Sequence, residues 1–167
     1  MKTSKDGMLL LKSFEGCRLM AYPDAGGYSI GYGHHGVAAG AAITQAQAEE
    51  LLRQDLAAYE RVVDSIGAAL NQQQFDACVS LAYNIGSGNF KSSTVARLLK
   101  QSAEPRQELA EAWAMWRMSG GAVNQALVAR RQAEYSYYAS TSTKNKAMPV
   151  AVAAVMVGAA ALLLLSY

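Results

Sequence analysis

Residues 13–36 read SFEGCRLMAYPDAGGYSIGYGHHG. Two acidic side chains, Glu15 and Asp24, stand nine apart in a stretch that also holds three tyrosines, two histidines and six glycines. A Gly, Tyr and Ser mixture of this kind belongs to short strands and tight turns. The flanks read as helix. Upstream, residues 5–14 carry Met8, Leu9, Leu11 and Phe14 on one face and meet Gly16 as a stop signal. Downstream, Thr44 and Gln47 form a capping-box pattern. They open the long helix QAQAEELLRQDLAAYERVVDSI, with Leu52, Leu56, Tyr59 and Val63 along one side. Further out, Asn71 caps a helix whose Phe75, Cys78, Val79, Ala82 and Tyr83 recur at offsets 0, 3, 4, 7 and 8, a core face. Ser93 caps TVARLLKQ, Leu109, Trp113 and Trp116 line a further helix as core residues, and residues 126–138 form the last. Only residues 18–36 predict strands. The fold class is α+β, mainly α: a small β-hairpin lobe, a long connecting helix and a helical lobe.

Whole-chain properties narrow the function. A length of 167 residues allows one domain, long enough to bury a core without disulfides. A net charge of +2 and a pI near 8.5 are too mild for a nucleic-acid partner, though they suit contact with an anionic polymer. Cys17 and Cys78 make no disulfide framework and read as two separate buried thiols. The opening MKTSKDG lacks the apolar run of a cleavable signal peptide. The other end differs in kind. Residues 1–139 make the folded domain, STSTKNK over 140–146 a polar linker, and residues 147–167, AMPVAVAAVMVGAAALLLLSY, carry no charge. As a helix those 21 residues span about 30 Å, the thickness of a hydrocarbon core. They are apolar all round, and Lys144 and Lys146 precede them where interfacial charges belong. A single-pass C-terminal transmembrane anchor in membrane lipid is expected.

The chemistry sits in the opening stretch. Glu15 falls at the end of its helix, where the negative macrodipole end and the neighbouring Phe14 favour a protonated carboxyl, the form a general acid needs. Asp24 lies in the turn YPDAGG, where water and backbone amides keep a carboxyl ionised. Such a pair meets the requirement for cleaving a glycosidic bond: Glu15 protonates the leaving oxygen, while Asp24 orients water or faces the oxocarbenium-like transition state. Tyr22, Tyr28 and Tyr32 are placed to pack on sugar faces. A turn-forming Asp and a surface Glu are the structural alternative on spacing alone. His34 reads as a buried, hydrogen-bonded residue and His35 as a surface one. Adjacent strand residues point opposite ways, so the two histidines make no metal site, and no cofactor is expected. Arg130 and Arg131 read either as contacts to sugar or peptide carboxylates or as a solvated helix face with an internal ion pair.

FEGCRLMAYPD followed by SIGYGHHG resembles the signature of the phage-type lysozyme family, glycoside hydrolase family 24. LNQQQFDACVSLAYNIGSGNFKSSTVARLLK is similar to that family's central helices, with Tyr83 in a Phe position, and WRMSGGAVNQALVARRQAE is similar to its ending. The resemblance covers residues 5–138 and implies a two-lobed lysozyme-like fold. Glu15 then matches the family's acid and Asp24 its second catalytic carboxylate. Ser29 stands in the place of the third catalytic residue, usually Thr, and keeps the hydroxyl that holds the attacking water but not the methyl that restricts its rotamer. Asp24 and Ser29 are five apart rather than the usual six. A hairpin one residue short reverses side-chain facing unless a bulge or turn absorbs it. A Gly near the end is here Ala126.

The resemblance implies a muramidase acting on bacterial peptidoglycan, at the β-1,4 bond between N-acetylmuramic acid and N-acetylglucosamine. The alternatives are a lytic transglycosylase on the same bond, which needs the acid but not Asp24, and a membrane-anchored peptidoglycan-binding module with an inactive site. The two lysines on the domain side of the span, with no signal peptide, keep the domain on the cytoplasmic face. A virion with an internal membrane reconciles that orientation with a substrate outside the cell. The favoured location is therefore that membrane, with other virion proteins as further partners, and the host inner membrane is the alternative.

Overall fold

The computed structural model describes residues 1–140. The linker and transmembrane expectations for 141–167 lie outside the described residues. Among those described, no helix is long and apolar enough to cross a membrane.

The chain enters through α1 (Lys5–Lys12), where the Ser4 side chain accepts from the amide of Gly7. Ser4 Oγ also donates to Asp76 Oδ2 at 2.5 Å. A Cβ on Gly7 would lie 2.4 Å from the Asp76 carboxyl carbon, so only glycine lets α1 lie this close to the helix that carries Asp76. The helix is two residues shorter than the sequence predicts, because Ser13 caps it. β1 (Arg18–Asp24), β2 (Gly27–Gly31) and β3 (His34–His35) follow as an antiparallel sheet in that order. The long helix α2 (Gln45–Asp64) starts with the predicted capping box of Thr44 and Gln47.

α3 (Gln72–Ile85) opens with a second such box, Asn71 with Gln74. Every residue of α3 from Gln74 to Ala82 is buried, so this helix is the axis of the core. Phe75, Cys78, Val79 and Ala82 lie where the periodicity puts them, packed with Leu52, Leu56, Trp113 and Tyr138. α4 (Ser87–Ser92), α5 (Thr94–Leu99, capped by Ser93) and α6 (Gln107–Ala114) wrap around it, and α7 (Gln125–Ala139) packs along it. Trp113 is fully buried and Trp116 packs against the core.

Two expectations change. A second hairpin, β4 (Met118–Ser119) and β5 (Ala122–Val123), joins α6 to α7 through Gly120 and Gly121. Strands of two residues carry no alternation for a sequence reading to find. Cys17 and Cys78 are both free, but Cys17 is exposed rather than buried.

Candidate active site

β1 and β2 are joined by Ala25 and Gly26, both at positive φ (26° and 85°). Two-residue loops of this handedness match the twist of the strands they connect. The register pairs Tyr22 with Ser29, Pro23 with Tyr28 and Asp24 with Gly27. Side chains alternate along a strand, so Tyr22, Asp24, Gly27 and Ser29 share one face, while Pro23, Tyr28 and Ile30 take the other. The tight loop thus puts two residues five apart on the same face and absorbs the short hairpin. Ser29 Oγ donates to Asp24 Oδ2 at 2.8 Å. Asp24 is exposed, while Ser29 has no solvent contact. Lower down, the register shifts between Arg18 and Tyr22. There β1 bonds instead to residues 41–43, through the Ala21 amide to the Ala41 carbonyl (2.8 Å) and the Ile43 amide to the Leu19 carbonyl (2.9 Å).

β3 brings in both histidines, paired as Ser29 with His35 and Ile30 with His34. They face opposite ways. His34 Nδ1 lies 2.9 and 3.0 Å from the two Asp55 carboxylate oxygens on α2. His35 is exposed, as its surface assignment requires, yet its Nδ1 lies 3.1 Å from Ser29 Oγ.

Glu15 follows α1 by one turn, its amide reaching the Leu11 carbonyl at 3.3 Å. The sequence predicts a lone carboxyl at a helix end. In the fold it has a partner from the far end of the chain: Arg130 Nη1 donates to Glu15 Oε1 at 2.6 Å. Oε2 has no hydrogen-bond partner among the described residues. The Arg130 guanidinium also lies 4.9 Å from the centroid of the Phe14 ring. Its Nε donates to Glu134 Oε1 (3.0 Å) and its Nη2 to the Ser80 carbonyl (3.3 Å). Glu134, completely buried, accepts as well from Ser80 Oγ (2.7 Å), Trp113 Nε1 (3.1 Å) and Arg131 Nη2 (3.0 Å). A buried carboxylate is tolerable when this many donors surround it. Tyr83 stands close by. Burial first, then the negative charges of Glu15 and Asp55, push its hydroxyl above the ordinary tyrosine range. It therefore stays protonated and donates to the Tyr32 carbonyl at 2.8 Å.

Of the predicted site residues, Asp24 and Ser29 are in contact and Glu15 is fixed at the end of α1. Tyr22 is on the Asp24 face, with the Arg18 guanidinium 4.8 Å over its ring. Tyr28 points to the other face, and an open hollow at the hairpin tip is bordered by it and by Asp24. Two residues expected at the substrate have other partners in the fold. Tyr32 is buried, with Lys12 5.5 Å over its ring and its hydroxyl accepting from Gln45 Nε2 at 2.8 Å, so it offers no ring face to a sugar. Arg130 is buried and donates to Glu15, to Glu134 and to the Ser80 carbonyl. The sequence reading gave no site role to Glu134, His35 or Asp55. The spacing RRQAE was the signal for Glu134, since residues three and four apart meet on a helix. Nothing local marked the other two.

A model of the family described as phage lysozyme matches residues 12–134. An endolysin of Bacillus phage PZA is 45% identical over 155 residues, covering 87% of this chain and 58% of that protein. An endolysin of Salmonella phage P22 is 41% identical, covering 72% of this chain and 86% of that one. Among solved structures, the muramidase domain of SpmX from Asticaccaulis excentricus superposes with a TM-score of 0.77 at 36% identity, covering 84% of this chain and 99% of that domain. The chain spans about three-fifths of the length of the first curated relatives it matches.

Proposed function

The chain belongs to the phage lysozyme family, and on that premise we propose that its folded domain is a muramidase. It hydrolyses the β-1,4 bond between N-acetylmuramic acid and N-acetylglucosamine in bacterial peptidoglycan. Glu15 gives a proton to the leaving oxygen through Oε2, while Arg130 holds Oε1. Asp24 acts from the hairpin. Its Oδ2 is fixed by Ser29, which leaves Oδ1 to orient water and to face the positive charge that develops on the sugar ring. Ser29, buried and already hydrogen-bonded, works through Asp24 rather than by holding the water itself. The observation that carries the reading is the Ser29–Asp24 hydrogen bond. It keeps the second carboxylate aimed despite the shortened hairpin, and hydrolysis needs that carboxylate where transglycosylation does not.

Mass spectrometry of fragments from purified peptidoglycan tests this. Reducing ends that have gained one water are expected. Ends in the 1,6-anhydro form would assign a transglycosylase, and unaltered glycan would leave a binding module.

The proposal extends to residues 147–167 as a C-terminal anchor that holds the domain on the internal membrane of a virion. Its support is in the sequence: 21 uncharged residues with Lys144 and Lys146 on the domain side. Purified virions are then expected to contain the full chain and to release it in detergent. Truncation after Thr143 should give a soluble, active enzyme absent from particles. Virions without the protein would overturn the location and leave the host inner membrane.

A further inference from the structure

Ser29 has one hydroxyl hydrogen and two polar neighbours. Its Oγ lies 2.8 Å from Asp24 Oδ2 and 3.1 Å from His35 Nδ1. A carboxylate only accepts, so the hydrogen goes to Asp24. His35 must then carry a proton on Nδ1 and donate it to the Ser29 oxygen. Building on the muramidase reading above, we propose that His35 is a positioning residue of the reaction: it fixes the rotamer of Ser29 and, through Ser29, the aim of Asp24.

The need for it is local. Serine lacks the second branch on Cβ that stiffens threonine, so its hydroxyl has three staggered wells to choose from. A donor held at a fixed point selects one of them. His35 is held in two ways. Its backbone pairs with Ser29 across β2 and β3. Its ring rests on Gly27, where a Cβ would lie 3.2 Å from Cε1 and 3.3 Å from Nε2, tight enough to displace the ring by a few tenths of an ångström. The neighbouring His34 cannot substitute, because it faces away and its Nδ1 is held by Asp55. The chain Asp24–Ser29–His35 therefore runs across all three strands on one face of the sheet.

The arrangement specifies a tautomer, since the hydrogen bond made by one ring nitrogen decides where the proton of a neutral imidazole sits. Nitrogen-resolved NMR of the full chain in detergent, at a pH where the ring is neutral, is expected to show His35 protonated at Nδ1. Loss of the signal in His35→Asn makes the assignment. Ser29→Ala, which removes the acceptor, is expected to move the proton to Nε2. In steady-state hydrolysis of peptidoglycan, His35→Leu should lower kcat about tenfold with KM little changed, at an unchanged melting temperature. His35→Asn places an amide N–H near the Nδ1 position and should recover most of the rate. Ser29→Thr in the His35→Leu background should also recover it, by restoring the stiff rotamer. A neutral ring protonated at Nε2 in the unmodified chain would overturn the proposal. So would a His35→Leu variant with full kcat, or equal losses in His35→Leu and His35→Asn. An unmodified chain without hydrolytic activity would instead sink the muramidase reading itself.

Discussion

Arg130 holds three partners at once from a buried position: Glu15 at 2.6 Å, Glu134 at 3.0 Å and the Ser80 carbonyl at 3.3 Å. The planar guanidinium can do this because its five donors point in fixed directions, which a lysine ammonium cannot match. Arg130→Met is expected to cost about 3–5 kcal/mol of stability, the scale for removing one partner of a buried pair, read from the urea midpoint. Glu15→Gln separates stability from chemistry. Glutamine keeps an oxygen for Arg130 but has no proton to give at the pH of the reaction. The variant is expected to melt within a few degrees of the parent and to lose at least about 10²-fold in rate. A near-parental rate at equal melting temperature would end the assignment of Glu15 as the acid. At this scale the sequence offered Glu15 and Asp24 as candidates through the motif around them. It could not show that Arg130, 115 positions away, is the partner of Glu15. That contact depends on how α7 packs against α3, which no local pattern encodes.

Among the elements, the β1–β2 hairpin is where local strain and function meet. Ala25 sits at φ 26°, on the positive side where a Cβ is crowded, while its neighbour Gly26 at 85° is at ease. Asn-Gly is the pair this type of loop prefers. Ala25→Asn is expected to stabilise the fold by about 1 kcal/mol with the rate unchanged, measured as a rise in the denaturation midpoint. A lower rate in that variant would mean that the strained turn also tunes Asp24. Element by element, legibility tracked local signals. The capping box at Thr44 and the cap at Asn71 announced α2 and α3, and the apolar face of α3 announced the core. The facing of Ser29 was legible only as a question, because the answer lies in a turn of two residues. β4 and β5 were too short to leave a pattern, although the pair Gly120–Gly121 stood in the sequence as their turn.

At the scale of the molecule, residues distant in sequence are tied by a few buried carboxylates. Glu60 on α2 accepts from Lys2 Nζ at 2.8 Å and from the amide and hydroxyl of Thr3 at 2.8 and 2.9 Å. Burial pushes its carboxyl up, but those hydrogen bonds outweigh it and hold the group below the ordinary carboxylate range. A carboxyl lowered on folding stabilises the fold above its unfolded value of about 4.3. That contribution is lost as the pH falls through the lower, folded value. Asp76 has the opposite sign: burial raises it despite bonds from Ser4 and Gln72, so its ionisation weakens the fold. The Glu60 contribution is therefore expected to be lost on acidification below about pH 4.3, so Glu60→Gln should flatten the acid limb of the melting temperature, while Asp76 acts in the opposite direction in both chains. A variant with an unaltered acid limb would show that the link between residues 2–3 and α2 contributes nothing. The two free thiols, one exposed two residues past Glu15 and one sealed inside α3, have a consequence of their own. An alkylating reagent needs access and a thiolate. Cys17 offers access, whereas Cys78 has none and burial pushes its thiol far up. One label per chain is thus the signature of the closed molecule. The slow appearance of a second label counts each excursion that unpacks α3, a clock built into the chain that runs without denaturant.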